Sequence, residues 1–277
     1  MITTEFYRRR QALLGRMEPE SVAIIPASSP VKRNKDVDYP YRPDSNFYYL
    51  TGFTEPNAVA VLSSQYTQGE YILFCQKRNK EKERWTGPTV GPVGAMRNYG
   101  ANKAFPIEEL DKLVPKLLEK SKKLYYALGC DVKFDQRVVE WLNNIRLQVR
   151  TGIRGPEGIN LLDQYLHQMR LVKHAEELAT MRKAAMISAK AHQHLMQTCH
   201  PGMPEYVLEA KFIHECTLQG ANRQAYSPIV GGGVNGCTLH YDANQDILQD
   251  GDLVLVDAGC EYGYYASDIT RTFPVNG

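Results

Sequence analysis

The 277-residue sequence lacks long apolar runs. No window approaches the roughly 18 apolar residues of a membrane-spanning helix. The N-terminal segment has Arg8, Arg9 and Arg10 where a secretory leader would have an apolar core of about 7 to 15 residues. The sequence therefore predicts a cytoplasmic protein with no membrane partner.

The sequence also lacks a strong charge of either sign. Its 33 basic and 31 acidic residues leave a net charge of +2, and no basic stripe is interleaved with aromatic residues. Such a balance provides no general attraction for a polyanion, so nucleic acid is excluded as a partner. A content of 43% hydrophobic and 23% charged residues is typical of a soluble globular protein.

Cysteine is sparse, and no Cys-x-x-Cys pair occurs among the six cysteines. A disulfide framework or a zinc cluster is therefore not indicated. We expect reduced, mostly buried thiols.

Helical and strand patterns alternate over the first 150 residues, which predicts an α/β domain. The expected strands are 22–27, 47–53, 58–62, 71–75 and 123–128, and the expected helices are 5–17, 111–120 and 134–149. A Gly- and Pro-punctuated linker is predicted at 151–160, followed by helices at 162–170, 175–198 and 204–219. The predicted domains are residues 1–170 and 171–277.

The second region contains histidines that do not form a metal-binding helix. His192 and His194 are two residues apart, so on a helix they point away from each other and cannot share an ion. The sequence "HECTL" at His214 lacks the second histidine of a zinc-protease helix.

The glycine-rich stretch "GGGVNG" at 231–236 satisfies the G-x-G-x-x-G pattern of a dinucleotide site. That site requires a helix directly after the glycines, whereas strand-forming residues and a turn follow here. We favour a glycine hairpin that lets the backbone approach another backbone or a ligand closely.

The stretch "VDAGCEYGYYASDITRTF" at 256–273 predicts a β-hairpin with an aspartate on each flank. A two-residue turn at Tyr262 and Gly263 would place Asp257 directly opposite Asp268. Like charges in that arrangement are destabilising, with Cβ atoms about 4.5 to 5.5 Å apart.

Three arrangements would relieve this repulsion. One aspartate is protonated, or a slip in register moves one of them to the other face, or a divalent metal binds both. Oxygen ligands suit Mn²⁺ or Mg²⁺. His240, on a preceding strand-like segment, either faces the same cleft or is a hydrogen-bonded core imidazole.

The stretches "NGCTLHY" and "DGDLVLVDAGCEYGYYASDITRTFPVNG" resemble the metal-site half of the Xaa-Pro aminopeptidases (aminopeptidase P). The N-terminal stretch "DYPYRPDSNFYYLTGFTEPNAVAVL" resembles the first domain of the bacterial enzymes. Similar motifs run over essentially the whole chain, although prolidase and creatinase share the outline.

The resemblance implies a creatinase-like α/β N-terminal domain followed by an α+β pita-bread catalytic domain. It implies removal of an N-terminal residue that precedes proline, by a hydroxide activated by two manganese ions. Asp257 would bind one Mn²⁺ and Asp268 would bridge both. His240 would contact the substrate or the tetrahedral intermediate, and Tyr226 would lie beside the site.

The resemblance also implies a homo-oligomer, a tetramer or dimer, in which Asp36 and Trp85 reach a neighbouring subunit's cleft. From sequence alone, Trp85 reads equally well as an ordinary half-buried aromatic residue. The substrate class would be peptides with proline at the second position.

The family's metal site also needs a His and two Glu from the second half of the pita-bread domain, and the sequence ends at Gly277. We therefore expect an incomplete catalytic domain and no activity from these residues alone. The alternative function is a non-catalytic truncated chain that retains only oligomer contacts.

Overall fold

The computed structural model describes residues 2–65 and 70–277. The residues form two compact units, Met1–Val172 and Lys173–Gly277. The sequence-based division after residue 170, with a domain identity for each part, stays a prediction. Within the described ranges, no helix is both long enough and apolar enough to cross a membrane.

The first unit alternates helices and strands. Its helices are α1 (Ile2–Leu14), α2 (Ser45–Thr51), α3 (Lys80–Thr86), α4 (Gly91–Tyr99), α5 (Leu110–Leu118), α6 (Val132–Arg146) and α7 (Leu162–Leu171). Its strands are β1 (Ser21–Pro26), β2 (Lys32–Asn34), β3 (Val37–Asp38), β4 (Val59–Ser63), β5 (Glu70–Cys75), β6 (Lys103–Pro106), β7 (Lys123–Tyr126) and β8 (Gly158–Leu161).

A mixed sheet with strand order β6-β5-β4-β1-β7-β8 forms the centre of this unit. Successive residues of β1 point to opposite faces, so Val22 and Ile24 join one apolar cluster while Ala23 and Ile25 join another. Side chains from α5 and α6 complete the first cluster, and side chains from α1, α2, α4 and α7 complete the second. Helices therefore cover both faces of the sheet, as an α/β domain requires.

The predicted strand at 47–53 is wrong, because this segment forms α2. Asp44 caps the helix by accepting a hydrogen bond from the Phe47 amide at 2.8 Å. Gly52 ends the helix in a left-handed conformation with φ of 66°. These caps stabilise the helix and outweigh the preference of Phe and Tyr for strands.

The predicted linker at 151–160 is wrong at its C-terminal end, where β8 begins. This strand pairs in parallel with β7, with Gly158 opposite Lys123. The pairing depends on a partner distant in sequence, which local Gly and Pro content does not reveal.

The second unit packs helices on small sheets. Its helices are α8 (Ala175–Thr198) and α9 (Glu205–Leu218), and its strands are β9 (Arg223–Gln224), β10 (Ile229–Gly232), β11 (Leu253–Asp257), β12 (Cys260–Tyr262), β13 (Tyr265–Ala266) and β14 (Thr270–Pro274). One sheet has the order β10-β11-β14 and the other β13-β12-β9. Val254 and Val256 of β11 share one buried cluster with Phe212 of α9 and Ala191 of α8.

The six cysteines are free thiols, but fewer of them are buried than expected. Cys130 and Cys237 are exposed and Cys199 is half-buried. The remaining three, Cys75, Cys216 and Cys260, lie in the apolar clusters.

Candidate metal centre

Asp257 is the last residue of β11 and Asp268 lies between β13 and β14, and the two are not in the predicted register. Asp257 at the end of β11 is paired with Thr270 of β14. The turn between β12 and β13 consists of Gly263 and Tyr264, with φ of 56° and 66°. Because the turn is centred one residue later than predicted, direct opposition of Asp257 and Asp268 is wrong. Asp268 precedes the partner of Asp257 by two residues, which makes it a diagonal neighbour on the same face.

The carboxylates of Asp257 and Asp268 both contact the hydroxyl group of Tyr226. This hydroxyl lies 2.5 Å from Asp257 Oδ1 and 2.9 Å from Asp268 Oδ1. A phenol has one proton, so it donates to one carboxylate at a time. Burial, and then the hydrogen bonds to both aspartates, raise the pKa of Tyr226. The structure therefore brings Tyr226, Asp257 and Asp268 together.

Two backbone hydrogen bonds, formed by the residues that directly follow Asp257, hold the neighbouring segments of this site in place. The Ala225 amide donates to the Gly259 carbonyl at 2.8 Å, which fixes the segment that carries Tyr226. The Ala258 amide donates to the Ile269 carbonyl at 3.1 Å, which fixes the segment that carries Asp268.

Gly259 permits this close approach. A Cβ atom at Gly259 would lie 1.8 Å from the Ser267 carbonyl oxygen, closer than any real contact. The hairpin pattern alone predicts no role for this glycine. The available signal is Gly259 itself, two residues after Asp257, since a glycine inside a strand pattern indicates close backbone contact.

His192 lies directly beneath the aspartate-bearing strand. Its ring is 2% exposed, and Nε2 donates to the Ala258 carbonyl at 3.0 Å. Burial lowers the pKa of His192 below its ordinary value of 6.5. His192 is therefore a buried histidine whose neutral form is favoured, and it joins α8 to the residue that follows β11.

Acidification should destabilise the second unit through His192. Below pH 6.5 the unfolded chain binds a proton that the folded ring resists, so stability should fall by up to about 1.4 kcal/mol per pH unit. His192→Gln keeps a donor for Ala258 but does not titrate, so it should flatten this loss of stability below about pH 6.5. Urea denaturation at several pH values measures the difference.

The matched control is His214→Gln, at an exposed position on α9. This variant should follow the unsubstituted chain across the same pH range. Equal acid dependence for His192→Gln and the unsubstituted chain would contradict the expectation.

His240 does not lie on a strand, and that expectation is wrong. The glycine-rich stretch also differs from the hairpin expected of it: β10 ends at Gly232 and a 3-10 helix spans Gly233–Cys237. His240 follows in an exposed turn. No α-helix follows the glycines to hold a pyrophosphate, so the fold does not support a dinucleotide site here.

The donors available for a metal are carboxylate oxygens. Among residues 2–65 and 70–277, no three or more His, Cys, Asp or Glu side chains form a group that could hold an ion. Asp257 and Asp268 fit part of the oxygen-rich shell of a hard divalent cation, because both reach the same hydroxyl.

The two remaining candidates belong to the first unit. Asp36 lies in the exposed turn between β2 and β3. Trp85 lies on α3 with 89% of its surface exposed, so its interpretation as a half-buried aromatic residue is wrong. An aromatic ring this exposed has no packing role in its own unit.

Comparison with known proteins identifies the family. Residues 6–126 match the aminopeptidase P N-terminal domain, and residues 179–277 match metallopeptidase family M24. The Xaa-Pro aminopeptidase of Escherichia coli (strain K12) is 44% identical over 274 residues, which cover 99% of this chain and 62% of that protein.

Solved structures show the same fold. Aminopeptidase PepP of Pseudomonas aeruginosa has a TM-score of 0.97 at 49% identity, over 99% of this chain and 62% of that one. Zinc-substituted E. coli aminopeptidase P in complex with product has a TM-score of 0.97 at 43% identity, with the same coverage. The chain thus spans about 62% of the length of these relatives.

These matches confirm the predicted combination of an aminopeptidase P N-terminal domain with an M24 pita-bread domain. Together the two family matches account for most of the chain, and they divide between the two structural units. The chain belongs to the Xaa-Pro aminopeptidase (aminopeptidase P) family.

Proposed function

We propose that this chain serves in a metal-dependent aminopeptidase that removes an N-terminal residue preceding proline. The observation that carries the proposal is the Tyr226 hydroxyl in contact with both Asp257 and Asp268. These residues lie in the segment that matches metallopeptidase family M24. Peptides with proline at the second position are the proposed substrates.

We assign the metal-binding role to the two aspartates and name Mn²⁺ as the ion, two per complete site. Asp257 would hold one ion and Asp268 would hold both. The zinc-substituted relative supports the need for a divalent ion of some kind. When bound, such an ion supplies Lewis acidity for the substrate carbonyl.

The residues of this chain then have distinct tasks. Asp257 and Asp268 provide negative charge on one side of the site, and Tyr226 holds a proton between them. His240 is exposed, so its imidazole is free to contact the substrate or stabilise the tetrahedral intermediate. These roles constitute the proposed catalytic and substrate-binding set.

The first domain, residues 1–170, is assigned to oligomer contacts, and residues 171–277 to the metal-site domain. In a homotetramer or dimer, Asp36 and Trp85 would contribute to a neighbouring subunit's cleft. The exposure of Trp85 supports this role, since a Trp exposed on 89% of its surface is suited to an interface. A cytoplasmic location stays a prediction.

A second candidate is that these 277 residues by themselves hydrolyse nothing. The described donor set favours it, because two carboxylates leave at least half of a hard ion's coordination to water. Calorimetric titration of the 277-residue chain with Mn²⁺ tests this candidate. Tight binding of two ions per chain would contradict it.

The proposed activity is tested with the chain extended to the length of its relatives. With added Mn²⁺, it should release the first residue from an Xaa-Pro peptide. A matched peptide with alanine at the second position measures the proline requirement. Absence of turnover on the Xaa-Pro peptide would refute the proposal.

A further inference from the structure

The segment that carries His240 has little regular structure of its own. Between the end of β10 at Gly232 and the start of β11 at Leu253, it contains a short 3-10 helix, turns and one isolated bridge, Pro204 to Ile247. Such a segment must be positioned by contacts from elsewhere. We refer to residues 232–246 as the His240 loop.

Glu205, the first residue of α9, forms the main contacts. Its side chain is completely buried, with 0% exposure. Oε1 accepts from the Gly232 amide at 2.8 Å and from Asn235 Nδ2 at 3.2 Å. Oε2 accepts from the Tyr241 hydroxyl at 2.8 Å and from the Asp246 amide at 3.0 Å. One carboxylate therefore joins both ends and the middle of the His240 loop.

All four groups that contact the Glu205 side chain are hydrogen-bond donors, so this side chain must act as the acceptor in each bond. Each partner of Glu205 is a neutral donor, and within residues 2–65 and 70–277 no cation pairs with it. A buried carboxylate without a counter-ion is costly unless its oxygens are fully hydrogen-bonded. The first turn of α9 adds the favourable N-terminal end of a helix dipole. Glu205 is therefore satisfied only while the His240 loop keeps this conformation.

Glu205 is linked to His240 through the adjacent residue of the chain. Tyr241, the next residue, is held on Glu205 by its hydroxyl and accepts a hydrogen bond from Asn235 Nδ2 at 3.1 Å. A second anchor lies beyond it, where Asn244 Nδ2 donates to Glu209 Oε2 at 2.9 Å. Two carboxylates four residues apart on α9 thus hold the C-terminal half of the loop.

We propose that Glu205 is a positioning residue that fixes His240 by acting as the shared acceptor of the His240 loop. This inference rests on the proposed function, because it gives His240 its task at the substrate. Glu205 itself is buried and contacts no reacting atom.

The first test uses Glu205→Gln in the chain extended to the length of its relatives. The amide group of the new Gln would face the donors of the loop with a donor of its own, so the His240 loop should become more mobile. We therefore expect kcat/KM to fall roughly 10-fold to 100-fold. In a chain that already carries His240→Ala, the same change should lower kcat/KM by less than about 2-fold, because the residue through which it acts is gone. Fully additive losses would overturn the inference.

Glu215→Gln is the matched control, since it makes the same change on α9 away from the loop. It should leave kcat/KM unchanged. If Glu205→Gln prevents folding, Tyr241→Phe removes only one of the four contacts and should show the same non-additivity with His240→Ala.

The second test needs no activity and uses the 277-residue chain. Hydrogen exchange of amides 232–246 should be faster in Glu205→Gln than in Glu215→Gln, while amides of α8 remain protected. Unchanged exchange in the loop would overturn the inference. Failure of the extended, unsubstituted chain to turn over would instead refute the proposed function, and the exchange result would then decide the role of Glu205.

Discussion

Gly259→Ala is expected to unfold the second unit or leave it barely stable. The added Cβ would meet the Ser267 carbonyl oxygen at 1.8 Å, and a main-chain atom cannot rotate away. Overpacked side chains typically cost about 1 to 3 kcal/mol, and here the loss should exceed about 3 kcal/mol because the strands themselves must separate. The midpoint of urea unfolding measures this cost.

The separation would occur between the segments that bring Asp257 and Asp268 to Tyr226. Limited proteolysis should therefore show cleavage in residues 253–274 of the variant. Gly158→Ala is the matched control, because its nearest non-neighbouring atom would be Lys123 Nζ at 3.8 Å, an ordinary contact. A Gly259→Ala chain with the unsubstituted chain's urea midpoint would show that the strand contact is not required.

Asp268→Asn is expected to change stability and activity in opposite directions. Without metal, it removes one of two like charges that reach the same hydroxyl, so the 277-residue chain should gain up to about 1 kcal/mol. In the extended chain the same variant loses an anionic metal ligand, and kcat/KM should fall by more than about 100-fold.

Measurement of both quantities on the same substitution separates a functional aspartate from a structural one. Asp250→Asn, at an exposed turn position, should leave kcat/KM unchanged. An Asp268→Asn chain that is less stable without metal, or an extended variant with undiminished turnover, would contradict the assignment.

Periodicity predicted the helices α1 and α5 to α9 and the sheet strands β1, β4, β5 and β7, since it depends on the chain's own apolar pattern. It failed where another signal was stronger. The segment Ser45–Thr51 is rich in aromatic residues, yet the Asp44 cap and Gly52 make it a helix. The strand Gly158–Leu161 exists because β7 offers an edge, which no local pattern shows.

The sequence identified the residues of the candidate site but not the register in which the hairpin pairs them. The hairpin pattern identified Asp257 and Asp268, yet a choice between adjacent turn positions decides whether they are opposite or diagonal. Tyr264 adopts φ of 66°, which is uncommon for a residue with a Cβ atom, so sequence reasoning placed the turn one residue too early. The role of Glu205 gave no sequence signal at all, because its partners come from a loop about 30 residues away.

The number of residues in the turn at Gly263 and Tyr264 decides whether Asp257 and Asp268 lie on the same face of the hairpin. Side chains alternate between faces along a strand, so one inserted residue would send Asp268 to the face opposite Asp257 unless a bulge absorbed it. Two inserted residues would restore the shared face. Changes in turn length by an even number should therefore be tolerated far better than changes by an odd number, whatever side chains the turn carries.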